Sequence, residues 1–205
     1  MKQTTGLQKK DDEQALVQRW QNGDPQAFDE LYAAHASAIY RLGWAMLRQA
    51  DLAEDAVQET FLRAYKARHR FDPNRAAFGT WLYQIALNYC RSYLRRKRLL
   101  TIPWLSDGID SPPLPDSRPG PERHTLRREY QQVLWQAVQK LSETLREVVI
   151  LHYYMEIPAV EIAQMLDCPE GTIYSRLYNA RRRLNQLLTE NGLYAADLFE
   201  VQNAH

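Results

Sequence analysis

The sequence has few features of a membrane or secreted protein. No stretch of about 18 apolar residues, the length that crosses a bilayer, occurs in its 205 residues. The N-terminal residues MKQTTGLQKKDDEQ are polar and lack an apolar signal core, which predicts a cytoplasmic protein. The two cysteines, Cys90 and Cys168, have no CxxC partner, so we expect reduced, mostly buried thiols rather than a disulfide or a zinc site.

Signs of catalysis are also scarce. The sequence has no glycine-rich phosphate loop, and no paired nucleophile or carboxylate cluster accompanies its histidines. We therefore predict that the protein is not an enzyme and has no catalytic residues, metal or cofactor. A recombinase is the enzymatic alternative, with little to support it. The scattered histidines are His35, His69, His124, His152 and His205.

Acidic and basic residues are distributed unevenly, although the net charge is only +1. Residues 1–60 contain six Lys or Arg and ten Asp or Glu, whereas residues 61–100 contain ten Lys or Arg and one acidic residue, Asp72. This division indicates two kinds of partner, one of which is a polyanion.

Strand-like alternation is absent, and apolar residues recur at helical spacing on both sides of a proline-rich segment. Six of the ten prolines lie between residues 103 and 121, in a stretch without periodicity that is typical of an extended linker. We predict an all-α protein of two small helical domains, residues 12–100 and 123–190. A linker over 101–122 joins them, and a tail over 191–205 follows.

The first domain is predicted to contain three main helices. Asp24 and Pro25 form a cap and a first-turn proline. Asp51 and Glu54 have the spacing of a capping box before a second helix, and a third helix is expected from about Thr80. The predicted buried rows are Phe28, Leu31, Tyr32, His35, Ile39, Leu42 and Met46; Ala53, Val57, Phe61, Ala64 and Tyr65; and Trp81, Leu82, Ile85, Ala86 and Tyr89.

The second domain ends in a pattern typical of a helix-turn-helix, after two helices expected over 123–140 and 142–155. Pro158 begins a short helix, Asp167-Cys168-Pro169 turns the chain, and a longer helix follows. Ala163 is small enough to let the two helices cross closely. The side chains predicted to pack are Val160, Ile162, Ala163 and Leu166 of the short helix, and Ile173, Leu177, Ala180 and Leu184 of the longer one.

The longer helix has a polar face suited to DNA. Short polar side chains near its start permit close approach to a groove, Arg176 has the geometry to bind guanine N7 and O6, and the later arginines could contact phosphates. A solvated helix face is the alternative interpretation. The face comprises Glu170, Thr172, Ser175, Arg176, Asn179, Arg182 and Arg183.

Aromatic and basic residues are interleaved between residues 71 and 98. Rings that stack on bases and cations that bind the backbone are typical of single-stranded nucleic-acid sites. Alternatively, Phe78 and Trp81 belong to the core and the arginines only confer solubility. The residues concerned are Phe71, Asn74, Arg75, Phe78 and Trp81, followed by Asn88, Arg91, Ser92 and Arg95 on one side of the third helix.

The second helix has an acidic face opposite its apolar row, formed by Asp55, Gln58, Glu59 and Leu62. An acidic face cannot bind the polyanion that the neighbouring basic helix attracts, and it suits a basic protein partner. An ordinary solvated face is the alternative interpretation.

Over roughly residues 13–189, the sequence resembles a bacterial RNA polymerase sigma factor of the small extracytoplasmic-function (ECF) type. The motifs that carry the resemblance are DLAEDAVQETFLRAY, FGTWLYQIALNYCRSYLRRKR and LSETLREVVILHYYMEIPAVEIAQMLDCPEGTIYSRLYNARRRL, with the proline-rich spacer before the last. The resemblance implies an alternative sigma factor that directs core polymerase to promoters, nucleates DNA melting, and serves a stress response.

The resemblance also implies roles for particular residues. The acidic face, Asp55, Gln58, Glu59 and Leu62, would bind core RNA polymerase. The single-stranded −10 element would meet Phe71, Asn74, Arg75, Phe78, Trp81, Asn88, Arg91, Ser92 and Arg95, and the loop from Phe71 to Phe78 would capture a flipped base. The duplex −35 element would meet Gly171, Thr172, Tyr174, Ser175, Arg176, Asn179, Arg181 and Arg182.

An anti-sigma factor between the two domains is a further implied partner, and membrane insertion is not expected. The family often has Asp where this chain has Ser92. It often has Lys where this chain has Tyr174 and Arg where it has Asn179, so the −35 contacts of this chain would carry less charge. A helix-turn-helix regulator that acts without core polymerase is the alternative function. It would explain the second domain but not the basic and aromatic stretch of the first.

Overall fold

The computed structural model describes the backbone of residues 4–100 and 131–190, and the side chains of 12–97 and 131–190. The chain divides into two compact units, Met1–Asp110 and Ser111–His205. Within the described ranges every regular element is helical, which confirms the predicted all-α fold. The predicted linker, the tail and the start of the helix expected at 123–140 lie outside the described residues.

The described part of the first unit contains four α-helices, of which the first was not predicted. They are α1 (Thr4–Gln21), α2 (Pro25–Leu47), α3 (Ala50–Lys66) and α4 (Phe78–Leu100), with a 3₁₀ turn at Arg68–Arg70. The described part of α1 buries Val17 and Trp20. This short apolar row, three residues apart in a polar segment, is the sequence signal that could have predicted the helix.

Helix α2 begins where the sequence predicted. The Asp24 carboxylate accepts hydrogen bonds from the backbone N–H groups of Gln26 (2.9 Å) and Ala27 (3.4 Å), and Pro25 occupies the first turn. Arg19 donates a hydrogen bond to the same carboxylate at 2.8 Å and lowers the pKa of Asp24. Tyr32, predicted to be buried, is instead 42% exposed at the edge of the contact with α3, where its ring lies 4.6 Å from that of Phe61.

Helix α3 starts one residue earlier than predicted, at Ala50, and the expected capping box is wrong. Gln49 occupies the cap position without a side-chain hydrogen bond, so Asp51 lies inside the first turn. The predicted row is buried as far as Ala64, but Tyr65 is 47% exposed. The helix packs closely on α2, because a Cβ atom at Gly43 would lie only 3.1 Å from the Cβ of Ala56.

Helix α4 starts at Phe78, two residues before the predicted position. Leu82 and Ala86 are buried as expected, and Leu87 and Cys90 are buried as well. Three residues of the predicted row are only half-buried: Trp81, Ile85 and Tyr89. The core side of α4 is therefore rotated slightly from the predicted row.

The second unit contains the helix-turn-helix. Its described elements are α5 (131–139), α6 (Glu143–Val149) with a π turn at Ile150–Tyr154, α7 (Ala159–Met165) and α8 (Glu170–Thr189). Between α7 and α8, Asp167 adopts a left-handed conformation (φ 49°), and the Cys168 N–H donates to the Ala163 carbonyl at 3.1 Å. Val160 is 48% exposed, so its predicted packing role is wrong. Cys90 is buried and Cys168 half-buried, and neither forms a disulfide.

Candidate nucleic-acid interface

The predicted polar side of α4 faces solvent. Asn88 and Arg95 are exposed, and Arg91 and Ser92 are half-buried, on the side of the helix away from Ala86. Spacings of three and four residues align these four groups along one line. The structure thus brings together every residue that the sequence assigned to this face.

On the flank of α4 that meets α3, Tyr89 lies under the guanidinium of Arg63, with 5.7 Å between the Arg63 Cζ and the ring centroid. Burial, helped by the negative charges of Asp55 and Glu59, raises the pKa of Tyr89. The hydroxyl therefore stays neutral at physiological pH, and it adds no negative charge beside the cationic face.

A cavity of about 170 Å³ lies between the loop that precedes α4 and the helix α1. Asp72 shapes the loop by accepting hydrogen bonds from the backbone N–H (2.9 Å) and the side-chain amide (3.0 Å) of Asn74. A protein cavity of about 150 Å³ can hold a benzene ring, so this one has room for a single six-membered ring such as that of a pyrimidine base. Its lining consists of Glu13, Gln14 and Val17 of α1 with Phe71, Pro73, Asn74, Arg75, Ala76, Ala77 and Phe78.

The rings around the loop are more buried than the sequence prediction required. Phe71 is 6% and Phe78 2% exposed, so little of either ring is available for a base to stack on, and the burial of Phe78 agrees with the alternative interpretation that it belongs to the core. The ring centroids of Phe71 and Phe78 lie 5.4 Å apart in an edge-to-face contact. The ring centroid of the half-buried Trp81 lies 4.9 Å from that of Phe71. The burial of Phe78 has a physical reason. Trp20 of helix α1, which was not predicted, covers it with 5.4 Å between the ring centroids.

Asn74 and Arg75 are exposed. They line the cavity and are the two non-aromatic residues of the lining that were predicted to meet the −10 element. No pattern in the sequence indicated the opposite wall, which is formed by Glu13, Gln14 and Val17. The Glu13 carboxylate also accepts a hydrogen bond from His35 Nε2 at 2.8 Å, which joins this wall to α2. The cavity therefore depends on α1 as much as on the loop.

Helix α8 places most of its predicted residues in solvent. Thr172 and Arg176 are half-buried on one flank, whereas the others are exposed. Tyr174 is 57% exposed, and a hydrogen bond to Glu170 raises the pKa of its hydroxyl. The exposed predicted residues are Gly171, Tyr174, Ser175, Asn179, Arg181 and Arg182.

One residue of the α8 surface was missed. Tyr178 is 61% exposed and lies three residues after Ser175 and four before Arg182, which puts all three on the same side of the helix. The helical spacing from Ser175 was the available signal. Tyr178 is therefore more centrally placed on the outward face than the half-buried Arg176.

The acidic face of α3 is accessible as predicted. Asp55, Gln58 and Leu62 are exposed, and Leu62 is 47% exposed despite being apolar. Glu59 is half-buried and forms a 2.7 Å ion pair with Arg63. We call these four residues, Asp55, Gln58, Glu59 and Leu62, the docking face.

Neither a metal cluster nor a membrane span is found in the described part of the chain. No three His, Cys, Asp or Glu side chains there are grouped so that they could hold an ion. Among the same residues, no helix is both long and apolar enough to cross a bilayer.

Both units match known protein families. Residues 31–99 match Sigma-70 region 2, and residues 131–184 match Sigma-70 region 4. Together with the helix-turn-helix and the basic helix α4, these matches define a two-domain factor of the sigma-70 class.

The similar proteins are sigma factors, and this chain matches them along nearly their whole length. The chain is 34% identical over 182 residues to the RNA polymerase sigma-H factor of Pseudomonas aeruginosa, covering 86% of this chain and 93% of that protein. It is 32% identical over 178 residues to the ECF RNA polymerase sigma-E factor of Escherichia coli K12, covering 84% and 92%. The chain belongs to the ECF family of bacterial RNA polymerase sigma factors, as the resemblance implied.

Solved structures agree with this assignment. The sigma factor RpoE in complex with the anti-sigma factor NepR from Bartonella quintana aligns with a TM-score of 0.61 and 25% identity, over 79% of this chain and 96% of that chain. CnrH in complex with the cytosolic domain of CnrY aligns with a TM-score of 0.64 and 24% identity, over 86% of this chain and 96% of that chain. This second match shows a similar fold. The protein is thus an alternative sigma factor, a transcription initiation factor that acts with core RNA polymerase on promoter DNA.

Proposed function

We propose that the first unit recognises and opens the −10 element, that the second unit recognises the −35 element as duplex, and that the docking face binds core polymerase. The observation that carries this proposal is the base-sized cavity at the start of α4, followed by the line of Asn88, Arg91, Ser92 and Arg95. A cavity and a cationic line on one helix provide both requirements of a melted strand, a place for an unstacked base and charge for the backbone.

Trapping a base makes melting favourable without fuel. Removing a base from the stack costs a few kcal/mol, which contacts in the cavity can offset. Asn74 and Arg75 offer exposed hydrogen-bonding groups to the edge of the base, and Phe71 and Phe78 offer apolar contact. Because the closed duplex cannot place a base there, each contact in the cavity stabilises only the open state.

At the −35 element, α8 would enter the major groove with its first half and contact phosphates with Arg181 and Arg182. We expect Tyr178→Ala to weaken −35 binding by about 1–2 kcal/mol, because the exposed ring covers base edges or thymine methyl groups. Affinity for −35 duplexes with single base changes, measured by fluorescence anisotropy, would locate the position that Tyr178 reads.

Tyr178→Phe is the matched control for this prediction. It keeps the ring and removes the hydroxyl, so retained affinity would assign the contact to the ring. A loss from Tyr178→Ala that is equal on every base sequence would contradict a role in recognition and indicate a backbone contact instead.

The docking face should determine the affinity for core polymerase. We expect Asp55→Ala with Leu62→Ala to weaken core binding about 10- to 100-fold, because an exposed apolar anchor and a charge are lost together. Titration of labelled protein with core polymerase in the absence of DNA measures this loss. Asp29→Ala, at an exposed acidic residue of α2, is the control, and an equal loss in it would refute the assignment.

Regulation would follow the pattern of the relatives. The Bartonella quintana protein was solved in complex with an anti-sigma factor. We infer that an anti-sigma factor holds this chain in the same way, and that the protein works in the cytoplasm, where polymerase and promoters are.

Transcription in vitro provides the test of the whole proposal. Core polymerase from the source organism, with and without this chain, is incubated with pooled genomic DNA, and the 5′ ends of the transcripts are sequenced. We expect new start sites that share a −35 and a −10 motif and depend on the chain. Promoter binding that does not require core polymerase would favour the helix-turn-helix regulator instead.

A further inference from the structure

Three cations and a histidine close together at the end of α3 have no role in the proposed function. Lys66 is the last residue of α3, and Arg68, His69 and Arg70 form the 3₁₀ turn that follows. Lys66, His69 and Arg70 are exposed, and Arg68 is half-buried. We call this group the basic knuckle.

The backbone of the basic knuckle is held rigidly. The side-chain amide of Gln21 in α1 donates hydrogen bonds to the carbonyl oxygens of Arg68 (2.9 Å) and Phe71 (2.8 Å). The Arg68 guanidinium also lies 5.2 Å from the ring centroid of Tyr65. Because the turn is ordered before any partner arrives, binding there has a small entropic cost.

The charge of the basic knuckle is not neutralised by neighbouring acids. Among the described side chains, no ion pair includes Lys66, Arg68 or Arg70. Arg63, one turn earlier on α3, pairs with Glu59 and is therefore partly compensated. Exposed, uncompensated cations on a fixed turn favour binding of a polyanion.

The position of the basic knuckle relates it to the cavity. Phe71, which lines the cavity, directly follows Arg70. Helix α4 starts at the cavity with Phe78, and its residues Arg91 and Arg95 lie about 20 and 25 Å further along its axis. The Phe71 ring centroid lies 5.4 Å from that of Phe78 and 4.9 Å from that of Trp81. The knuckle, which directly precedes Phe71, therefore lies beside the cavity near the start of α4.

We propose that the basic knuckle binds the phosphates of the single-stranded non-template DNA immediately downstream of the base held in the cavity. This inference rests on the proposed function, since it requires a base in the cavity. In this arrangement the strand upstream of that base follows the cationic line of α4, and the melted strand continues past the cavity in the other direction. Lys66, Arg68 and Arg70 are the cations that it meets there.

The test compares Lys66→Gln with Arg70→Gln against a charge-matched control, Arg41→Gln with Lys140→Gln. Arg41 is exposed on α2 near Gly43, which packs on the first half of α3 and is therefore far from the basic knuckle, and Lys140 is exposed in the second unit. Holoenzyme carrying each variant is titrated with fork-junction probes of the promoter found by transcription in vitro. One probe ends its non-template strand at the trapped base, and the other extends it by several nucleotides.

We expect the Lys66 and Arg70 variant to bind the extended probe at least about fivefold more weakly than the control. Its plot of log K against log salt should be shallower by about 1.4, because each single-strand phosphate contact contributes roughly 0.7 to the slope. On the probe that ends at the trapped base, the variant and the control should bind equally.

Three results would overturn the inference: no loss on the extended probe, an equal loss on both probes, or a loss already present when core polymerase is titrated without DNA. The last result would assign the basic knuckle to an acidic protein surface. An abasic site at the trapped position tests the cavity separately. If it leaves wild-type affinity unchanged, the role of the cavity fails, whereas the effect of strand length still reports on the knuckle.

Discussion

Arg91→Glu combined with Arg95→Glu is expected to reduce open-complex formation at least about 100-fold while weakening the closed complex much less. Hydrogen bonds to charged groups are each worth about 1.5–3 kcal/mol, and charge reversal adds repulsion of the phosphates to their loss. The cationic line of α4 would act on the melted strand, whereas the −35 contacts of α8 form in both complexes. Permanganate reactivity of −10 thymines measures opening, and filter binding at low temperature measures the closed complex.

The control for this variant is Arg41→Glu with Lys140→Glu, which changes the charge of the protein by the same amount at exposed positions elsewhere. We expect its permanganate pattern to match that of the wild type. An unchanged pattern in the Arg91 and Arg95 variant would show that α4 does not hold the open strand. Equal weakening of both complexes would make these arginines general phosphate contacts.

Gly43→Leu is expected to destabilise the first unit by about 3 kcal/mol, the upper part of the usual range for overpacking. A Cβ atom at this position would already lie 3.2 Å from the Cα of Ala53, a backbone atom that can move only with α3. The larger side chain must therefore separate α2 from α3. Hydrogen exchange followed by mass spectrometry should show faster exchange throughout α2 and α3.

Gly171→Ala is the matched glycine substitution for this experiment. Gly171 lies in the first turn of α8, and a Cβ atom there would meet nothing within 4 Å. Replacing a helical glycine by alanine stabilises a helix by up to about 1 kcal/mol, so exchange in α8 should slow or stay the same. If Gly43→Leu also leaves exchange unchanged, the close packing of α2 on α3 is not important for stability.

The local features of this fold could be predicted because they depend on neighbouring residues. Asp24 and Pro25 determine the start of α2 through hydrogen bonds and a fixed φ angle within one turn. Ile173, Leu177 and Ala180 predict the buried side of α8, and with it the exposure of Ser175 and Arg182, since a helix repeats every 3.6 residues. The same periodicity predicted the line of Asn88, Arg91, Ser92 and Arg95 on α4.

Residues at the edges of contacts were predicted less well. Tyr32, Tyr65 and Val160 fit apolar helical rows, yet each is more than 40% exposed. Periodicity gives the direction of a side chain, but the extent of the neighbouring helix decides whether anything covers it. Phe78 shows the opposite effect, since its ring, in a pattern typical of exposed stacking residues, is covered by Trp20.

The sequence by itself determined the helical class, the positions of most helices and the polar faces of α3, α4 and α8, since these properties follow from capping and spacing within a few turns. Only the tertiary structure decided that a cavity forms between α1 and the loop before α4, and that a basic turn lies beside it. The hydrogen bond from Gln21 to Phe71 joins residues 50 positions apart. Contacts at such separations depend on how whole helices pack, which no local pattern in the sequence specifies.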